Sequence, residues 1–328
     1  MGTDLKRWIG TPLFRACAAL ALVIALGIIF NADHSFFRLG THRDALRQIS
    51  VYGCLACGLT LVIISGGIDL SVGSVLGLSA VFFSLATIRW GWSPWIGIPA
   101  TMAIGLGVGL VSGLLVSWGR MQPFIATLAA MVAARGVGKL ISGGEKISTA
   151  IPTPDGNVRY VDVPHVFRSI DSQLFGGNLA VVTIIFLVCF AVCLFALNRT
   201  TWGRNLFAIG GNEEATRLSG VRVDGSKIVA YMASGLCAAV AGICQAAQEQ
   251  QGDPEAGIGY ELTAIAIVVI GGTSLLGGSG GVGLTLLGML TIGYLEKVLS
   301  INAVPESWRL ILTGAIVAIA VLAQRKRA

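Results

Sequence analysis

The chain has 328 residues, of which 54% are hydrophobic and only 12% are charged, and its formal net charge is +6. Soluble domains carry about 25% charged residues, so this composition excludes an ordinary soluble protein and predicts an all-α polytopic membrane protein. The Lys and Arg residues are scattered between apolar runs, which favours a topological origin of the positive charge over a nucleic-acid surface.

Ten apolar runs are long enough to be predicted as transmembrane helices, some of them broken. In chain order they cover about 14–30, 49–66, 70–88, 95–118, 122–141, 179–197, 228–247, 261–276, 282–298 and 308–323. The runs are predicted as helices because a single chain in lipid must satisfy its backbone hydrogen bonds internally. Together they predict one transmembrane domain spanning residues 1–328.

The distribution of cations predicts the orientation of these spans. With both termini in the cytoplasm, twelve Lys and Arg residues fall in cytoplasmic segments and seven in the opposite loops. This asymmetry favours cytoplasmic termini. Four further cations, Arg135, Lys139, Lys297 and Arg309, lie near or within span ends, where long side chains can reach the membrane surface.

The stretch SGGIDLSVGS places a carboxylate, Asp69, inside a 40-residue apolar run that divides naturally into two spans. In one interpretation this is a tight turn on the inner side, where Gly66 and Gly67 end one helix and Asp69 or Ser71 caps the next. In the other, the break lies deeper and lines a transport pathway. Both interpretations make Asp69 part of a helix break.

Three glycines, Gly105, Gly109 and Gly113, recur every four positions in the fourth span and give it a smooth face. Such a face allows close helix packing inside the bundle, and a subunit contact or a moving seam between helices is the alternative.

Two connecting loops are long. The outer loop, about 143–178, contains turn residues and alternating Val and Tyr that predict a small hairpin. The inner loop, about 198–227, contains a predicted short helix with Asn212 as its N-cap, acidic residues in its first turn, Arg217 four residues after Glu213, and Gly220 at its end. A helix so short needs a partner surface.

Catalytic, nucleotide and metal sites find little support. GGTSLLGGSGG lacks the Gly-Lys-Ser/Thr ending of a phosphate loop, and the three histidines lie in outer loops. The seven cysteines lie in apolar runs and are interpreted as small hydrophobic residues, since Cys54 and Cys57 have no second pair nearby. We therefore expect no enzyme activity, no metal and no cofactor in this chain.

Four blocks of the sequence resemble the permease subunits of bacterial ABC importers of the ribose, xylose and arabinose type. The blocks are SGGIDLSVGSVLGLSA at 65–80, QPFIATLAAMVAARG at 122–136, TTWGRNLFAIGGNEEATRLSGV at 200–221 and GIGYELTAIAIVVIGGTSLLGGSGGVGLTLLG at 257–288. The chain departs from the family pattern at Thr263, where Asp is usual, and in Gly293-Tyr-Leu-Glu-Lys-Val, where an Asn-Asn pair is common.

The resemblance implies an inner-membrane permease that dimerises, receives a monosaccharide from a periplasmic binding protein and is driven by a cytoplasmic ATPase that binds ATP and Mg²⁺. It implies no nucleic-acid partner. By the same resemblance, a coupling helix that docks on the ATPase is formed or framed by Gly210, Gly211, Asn212, Glu213, Glu214, Ala215, Arg217, Leu218 and Gly220.

A neutral sugar needs a pathway with little fixed charge and with weak hydrogen-bonding groups at helix breaks. The candidates are Gly66, Gly67, Asp69, Ser71, Ser74, Thr127, Thr263 and Thr273. A nucleoside, purine or autoinducer cargo, or a stand-alone secondary carrier, are the alternative functions.

Overall fold

Long apolar helices dominate the computed structural model, which describes residues 11–152, 155, 157–305, 307–309, 311–312, 314–315 and 318. The helices are α1 Pro12–Ile29, α2 Leu39–Ile64, α3 Val72–Ser84, α4 Pro94–Ser117, α5 Pro123–Ser142, α6 His165–Asp171, α7 Val181–Arg199, α8 Thr201–Gly211, α9 Glu213–Leu218, α10 Val223–Glu249, α11 Tyr260–Gly271 and α12 Val282–Ile301. A 3₁₀ segment, Ala32–Phe37, precedes α2, and a π-helical turn, Leu85–Arg89, extends α3.

Among the described residues, eight helices are long and apolar enough to cross a membrane. These agree with eight of the ten predicted spans, and three of them begin with proline at the first helical turn, where its missing N–H costs nothing. The tenth prediction, 308–323, lies largely outside the described residues.

The eighth predicted span, 261–276, is wrong in length. Its helix, α11, has only 12 residues, which rise about 18 Å and cannot cross a hydrocarbon core of about 30 Å. Gly272, with φ +104°, ends this helix. The prediction extended five residues beyond the helix, because Leu275 and Leu276 follow the turn in sequence.

The helix ends meet at two opposite ends of the bundle. At one end, which we call the linker end, α8 and α9 lie beside the start of α10 and the end of α2. At the other, the hairpin end, strand β1 (Ala150–Pro152) pairs antiparallel with β2 (Val158–Tyr160), which confirms the predicted hairpin. A second short pair, β3 (Gln173–Leu174) and β4 (Leu179–Ala180), lies nearby in sequence.

The core lies around α2, α3 and α10. The apolar window of α3 is 89% buried, whereas that of α1 is only 17% buried. Close packing at the centre depends on small residues: a Cβ at Gly109 would lie 2.3 Å from the carbonyl oxygen of Tyr231, and one at Gly105 would lie 2.3 Å from that of Gly235. The smooth glycine face of α4 therefore packs against α10 inside the bundle, which confirms the packing interpretation.

Candidate functional site

The inner loop contains two helices where the sequence predicted one. The second, α9, has six residues, and Asn212 caps it by accepting a hydrogen bond from the Ala215 amide at 2.9 Å, as predicted. The first, α8, is an 11-residue helix that the sequence pattern did not predict. Its Leu206 and Ile209 are buried and pack it onto the bundle, so tertiary packing stabilises a helix too short to be stable alone.

Charged residues hold α9 against the start of α10. Arg217 donates to both carboxylate oxygens of Asp224 at 2.8 and 2.9 Å and to Glu213 at 3.1 Å, and Lys227 donates to Glu213. Partial burial raises the pKa of Glu213, but the hydrogen bonds and charges of Lys227 and Arg217 outweigh burial and hold that pKa below its ordinary value. The charged side chains Glu213 and Arg217 of the predicted coupling helix therefore form ion pairs within the chain.

The remaining face of α9 is exposed. Leu218 is 84% exposed at the last helical position, and Glu214 and Ala215 are also exposed. Gly220, with φ +83°, follows the helix, as predicted. A cavity of about 390 Å³ separates α9 from the ends of α4 and α5, and it is lined in part by Arg120, Met121 and Pro123.

Three backbone segments meet where α8 ends, and we call this contact the glycine junction, formed by Gly66, Gly210, Gly277 and Gly278. The Gly278 amide donates to the Ile64 carbonyl at 3.0 Å. A Cβ on Gly210 would lie 1.9 Å from that same carbonyl oxygen, whereas a Cβ on Gly211 would meet nothing within 4 Å. The end of α8 is thus in direct backbone contact with the helix break that follows α2.

The break itself begins as predicted. The amides of Gly66 and Gly67 bond the carbonyls of Ile63 and Val62, and Gly66 has φ +80°, which is the Schellman pattern at a helix C-terminus. A Cβ on Gly67 would lie 2.5 Å from the Tyr231 hydroxyl, so both glycines are required by the local geometry.

Asp69 is fully buried and joins the break to α10. Its carboxylate accepts hydrogen bonds from the Ser71 amide at 2.9 Å, the Ser71 hydroxyl at 2.6 Å and the Ser234 hydroxyl at 2.8 Å. Ser234 lies 11 residues along α10, about 16 Å from its start. The break therefore begins at the linker end, but Ser71, the residue before α3, makes no capping hydrogen bond with its side chain, and Asp69 bonds Ser71 and Ser234 instead of the first amides of α3. The predicted capping role is wrong, and the carboxylate stabilises a tertiary contact with α10.

Of the other pathway candidates, Thr127 and Thr273 make hydrogen bonds within the bundle, whereas Ser74 borders a cavity. Thr127 donates to the carbonyls of Pro123 and Ile68, and Thr273 is buried and accepts from the Gly281 amide. Thr263 is half-buried at the start of α11. Ser74 lines a cavity of about 410 Å³ between α3, α5 and the start of α11.

The same cavity contains charged side chains that sequence reasoning did not assign to a pathway. They are Arg135 and Lys139 on α5 and Glu261 in the first turn of α11. Arg135 was expected to reach toward the membrane surface, but it turns inward and donates to the carbonyls of Pro254 and Ala256 at 2.6 and 2.7 Å. One feature of the sequence could have identified these residues: Arg135 and Lys139 are four residues apart on one span, so they lie on the same helix face.

These contacts hold a non-helical segment, 252–259, inside the bundle. Gly252 lies against Ala80 and Gly257 lies against Gly73, so the segment runs along α3 from the hairpin end toward the middle. It ends where α11 begins after Gly259, with φ +80°. The N-terminus of a half-helix therefore faces the interior, beside the cavity.

The whole chain matches known permeases. The family model for the branched-chain amino acid transport system permease component matches residues 43–321. No solved structure matches the chain significantly.

Sequence relatives extend over nearly the full length. The ribose import permease protein of Escherichia coli K12 is 38% identical over 325 residues, which cover 98% of this chain and 96% of that protein. The ribose import permease protein of Bacillus subtilis is 38% identical, covering 94% and 92% of the two chains. The xylose transport system permease protein of Haemophilus influenzae is 32% identical, covering 92% and 93%. This chain therefore belongs to the family of the branched-chain amino acid transport system permease component.

Proposed function

We propose that this chain is the membrane-spanning permease subunit of an ATP-binding-cassette importer that carries a monosaccharide, a pentose or a similar sugar. The observation that carries the proposal is the 38% identity to the Escherichia coli ribose import permease over 98% of the chain. The relatives described above are sugar permeases, which favours a sugar over a nucleoside, purine or autoinducer and over a stand-alone carrier. The chain works as one transmembrane domain and is not itself an enzyme.

The coupling helix of this proposal is α9 together with its flanking residues. Its ion pairs fix it on α10 while Leu218 extends outward with 84% of its surface exposed. An exposed leucine on a rigid, mostly charged surface fits an apolar notch on a partner ATPase. Contact of Gly210 with Ile64 then transmits movement of the linker to the break after α2.

The sugar pathway of this proposal follows the cavity beside α5 and α11. Arg135, Lys139 and Glu261 line it on the half of α5 nearer the hairpin end, and charged groups within a span are costly to expose to lipid. In the proposed assembly a second copy of the chain covers these charged groups. The chain therefore forms a homodimer with the pathway between the two copies. Ser74 offers a weak hydrogen bond to a passing hydroxyl group.

The remaining features of the proposal concern location and partners. The excess of cations in the segments on the same side as the termini supports cytoplasmic termini in a bacterial inner membrane. A periplasmic binding protein delivers the sugar, and the cytoplasmic ATPase binds ATP and Mg²⁺. Protease access to a C-terminal tag in sealed spheroplasts tests this orientation, and cleavage before lysis would contradict it.

Reconstituted uptake tests the function. The permease, its ATPase and its binding protein are placed in vesicles, and uptake of labelled ribose and xylose is measured with ATP, without ATP and with a proton uncoupler. We expect uptake of at least one pentose that requires ATP and resists the uncoupler. Uptake that persists without ATP and collapses with the uncoupler would indicate a secondary carrier.

Leu218→Asp tests the coupling helix. We expect normal membrane levels, because the side chain is exposed, with loss of ATPase capture and of ATP-dependent uptake. Leu174→Asp in β3, an exposed leucine at the hairpin end, is the matched control and should behave as wild type. Normal ATPase capture by Leu218→Asp would contradict the assignment.

A further inference from the structure

Three of the seven cysteines, distant in sequence, meet where α7 packs against α10. The thiol of Cys237 on α10 lies against those of Cys189 and Cys193, which are four residues apart on α7. Each cysteine considered along its own span is a small apolar residue. Their convergence is a property of the tertiary structure, and the transport mechanism proposed above does not use it.

The thiols of Cys189, Cys193 and Cys237 have the geometry of a metal site. The sulfur atoms of Cys189 and Cys237 are 3.5 Å apart, those of Cys193 and Cys237 are 3.9 Å apart, and all three lie within 4.8 Å of one another. A metal ion bound to three sulfurs in a plane at about 2.3 Å places the sulfurs about 4.0 Å apart. The sulfur–sulfur distances therefore differ from this spacing by about 0.8 Å at most, because none of them exceeds 4.8 Å.

We propose that Cys189, Cys193 and Cys237 form a three-sulfur site for a soft monovalent metal ion such as Cu(I) or Ag(I). Sulfur ligands select soft ions. Zinc prefers four tetrahedral ligands, and the three sulfurs that lie mutually close provide three. A disulfide between Cys189 and Cys237 would need their sulfurs to approach from 3.5 Å to about 2.05 Å, so the observed spacing fits an ion better than a covalent bond.

The surroundings of the thiols determine the charge of the bound state. An apolar groove of about 600 Å³ opens beside them between α4, α7 and α10, and its lining includes Met102, Val188 and Val240. A net charge would be costly there. One monovalent ion with one thiolate and two neutral thiols is neutral overall, so this is the state that the groove accommodates.

Ligand exchange can load the site without creating a charge. A small thiol carrier brings the ion as a metal thiolate, a bond forms from the ion to the sulfur of Cys189, and the bond from the ion to the carrier breaks. The Cys189 proton leaves on the carrier, which departs as a free thiol. Cys189 is half-buried, whereas Cys193 and Cys237 are buried, so Cys189 is the accessible entry ligand.

Metal binding to the purified full-length chain tests the proposal. Cu(I) is supplied anaerobically as its glutathione complex, in competition with the chelator bathocuproine disulfonate. We expect about one tightly held Cu(I) per chain and an X-ray absorption spectrum with three sulfur neighbours at about 2.3 Å. Ag(I) should displace Cu(I), whereas Zn(II) should not. Nitrogen or oxygen ligands, two sulfurs, or tighter binding of Zn(II) would each overturn the proposal.

Matched variants identify the ligands. Cys193→Ser and Cys237→Ser should each weaken Cu(I) binding by more than about 100-fold, beyond the effect of losing an outer-shell partner. Cys244→Ser, a buried cysteine on the same helix as Cys237, should bind as wild type. Equal losses in Cys244→Ser, or unchanged binding in Cys237→Ser, would overturn the assignment.

A measurement on the wild-type chain does not depend on how the variants fold. A neutral, lipid-soluble maleimide is added before and after loading with Ag(I), and mass spectrometry identifies the alkylated cysteines. Loading should protect Cys189 and leave the exposed Cys17 on α1 reactive. Alkylation of Cys189 at the same rate in loaded protein would contradict the site.

Discussion

Two non-helical segments enter the bundle, and they are stabilised in opposite ways. The break after α2 surrounds a fully buried Asp69, and it depends on glycines in backbone contact and on this one carboxylate, which accepts three hydrogen bonds. The segment 252–259 borders a cavity and is held by long cationic side chains from α5. The first arrangement leaves no room for change, whereas the second can exchange its contacts with solvent, a sugar or another chain.

Gly210→Ala should have the largest effect, because its methyl group would overlap the Ile64 carbonyl oxygen in the glycine junction. We expect a loss of about 3 kcal/mol or more in the free energy of unfolding, the upper part of the range for overpacking. Membrane levels and thermal unfolding in detergent measure it. Gly211→Ala is the control, and equal behaviour of the two variants would show that the junction is not tightly packed.

Asp69→Leu should be comparably damaging, because it removes the acceptor for the Ser71 amide and hydroxyl and the Ser234 hydroxyl in a fully buried site. The expected cost is about 1–3 kcal/mol for each donor left unpaired. Asp69→Asn keeps one carbonyl oxygen for Ser71, and the Ser234 hydroxyl can rotate to accept from the new amide. Normal amounts of the Asn variant with no transport would indicate that the charge itself is needed in the transport cycle.

Arg135→Met should have an intermediate effect, since it keeps the apolar stem but removes the donors to Pro254 and Ala256. We expect a loss of about 1.5–3 kcal/mol, the range for hydrogen bonds from charged groups, together with faster proteolysis within 252–259. Lys139→Met, which removes an exposed ion pair with Glu255, is the control and should cost less than about 1 kcal/mol. Slower cleavage in Arg135→Met than in Lys139→Met would contradict the role of Arg135 in holding the segment 252–259.

Glu213→Gln should have the smallest effect, about 0.2–1 kcal/mol, because its ion pairs are exposed. The pKa of Glu213 is lowered in the folded chain, so its contribution is present above its unfolded pKa of about 4.3 and is lost as the pH falls through the lowered value. The difference in thermal midpoint between wild type and variant should therefore be full at neutral pH and vanish in acid. A constant difference would show that Glu213 acts through packing.

Local signals in the sequence predicted the features that depend on neighbouring residues. Asn212 as an N-cap, Gly66 and Gly67 at the end of a helix, and the hairpin at 150–160 all follow from chemistry within a few positions. The eight long spans follow from apolar length alone. These predictions succeeded because each depends on hydrogen bonds or hydrophobicity that the segment itself contains.

Features that depend on distant residues could not be predicted in the same way. The helix α8 forms because Leu206 and Ile209 bury against the bundle. Arg135 turns inward because backbone carbonyls at 254 and 256 lie within reach. The three sulfurs converge because α7 and α10 pack together. Each outcome depends on which helices become neighbours, and local periodicity does not contain that information.

The interior position of the α11 N-terminus has a consequence for ion leakage. A half-helix N-terminus carries roughly half a positive charge. Beside it Arg135 adds one positive charge and Glu261 subtracts one, while the charge of Lys139 is balanced by its ion pair with Glu255. The cavity proposed as the sugar pathway therefore has a positive potential, which repels protons and sodium ions. A neutral sugar does not experience this barrier, so the importer can open a route for its cargo while limiting dissipation of the membrane potential.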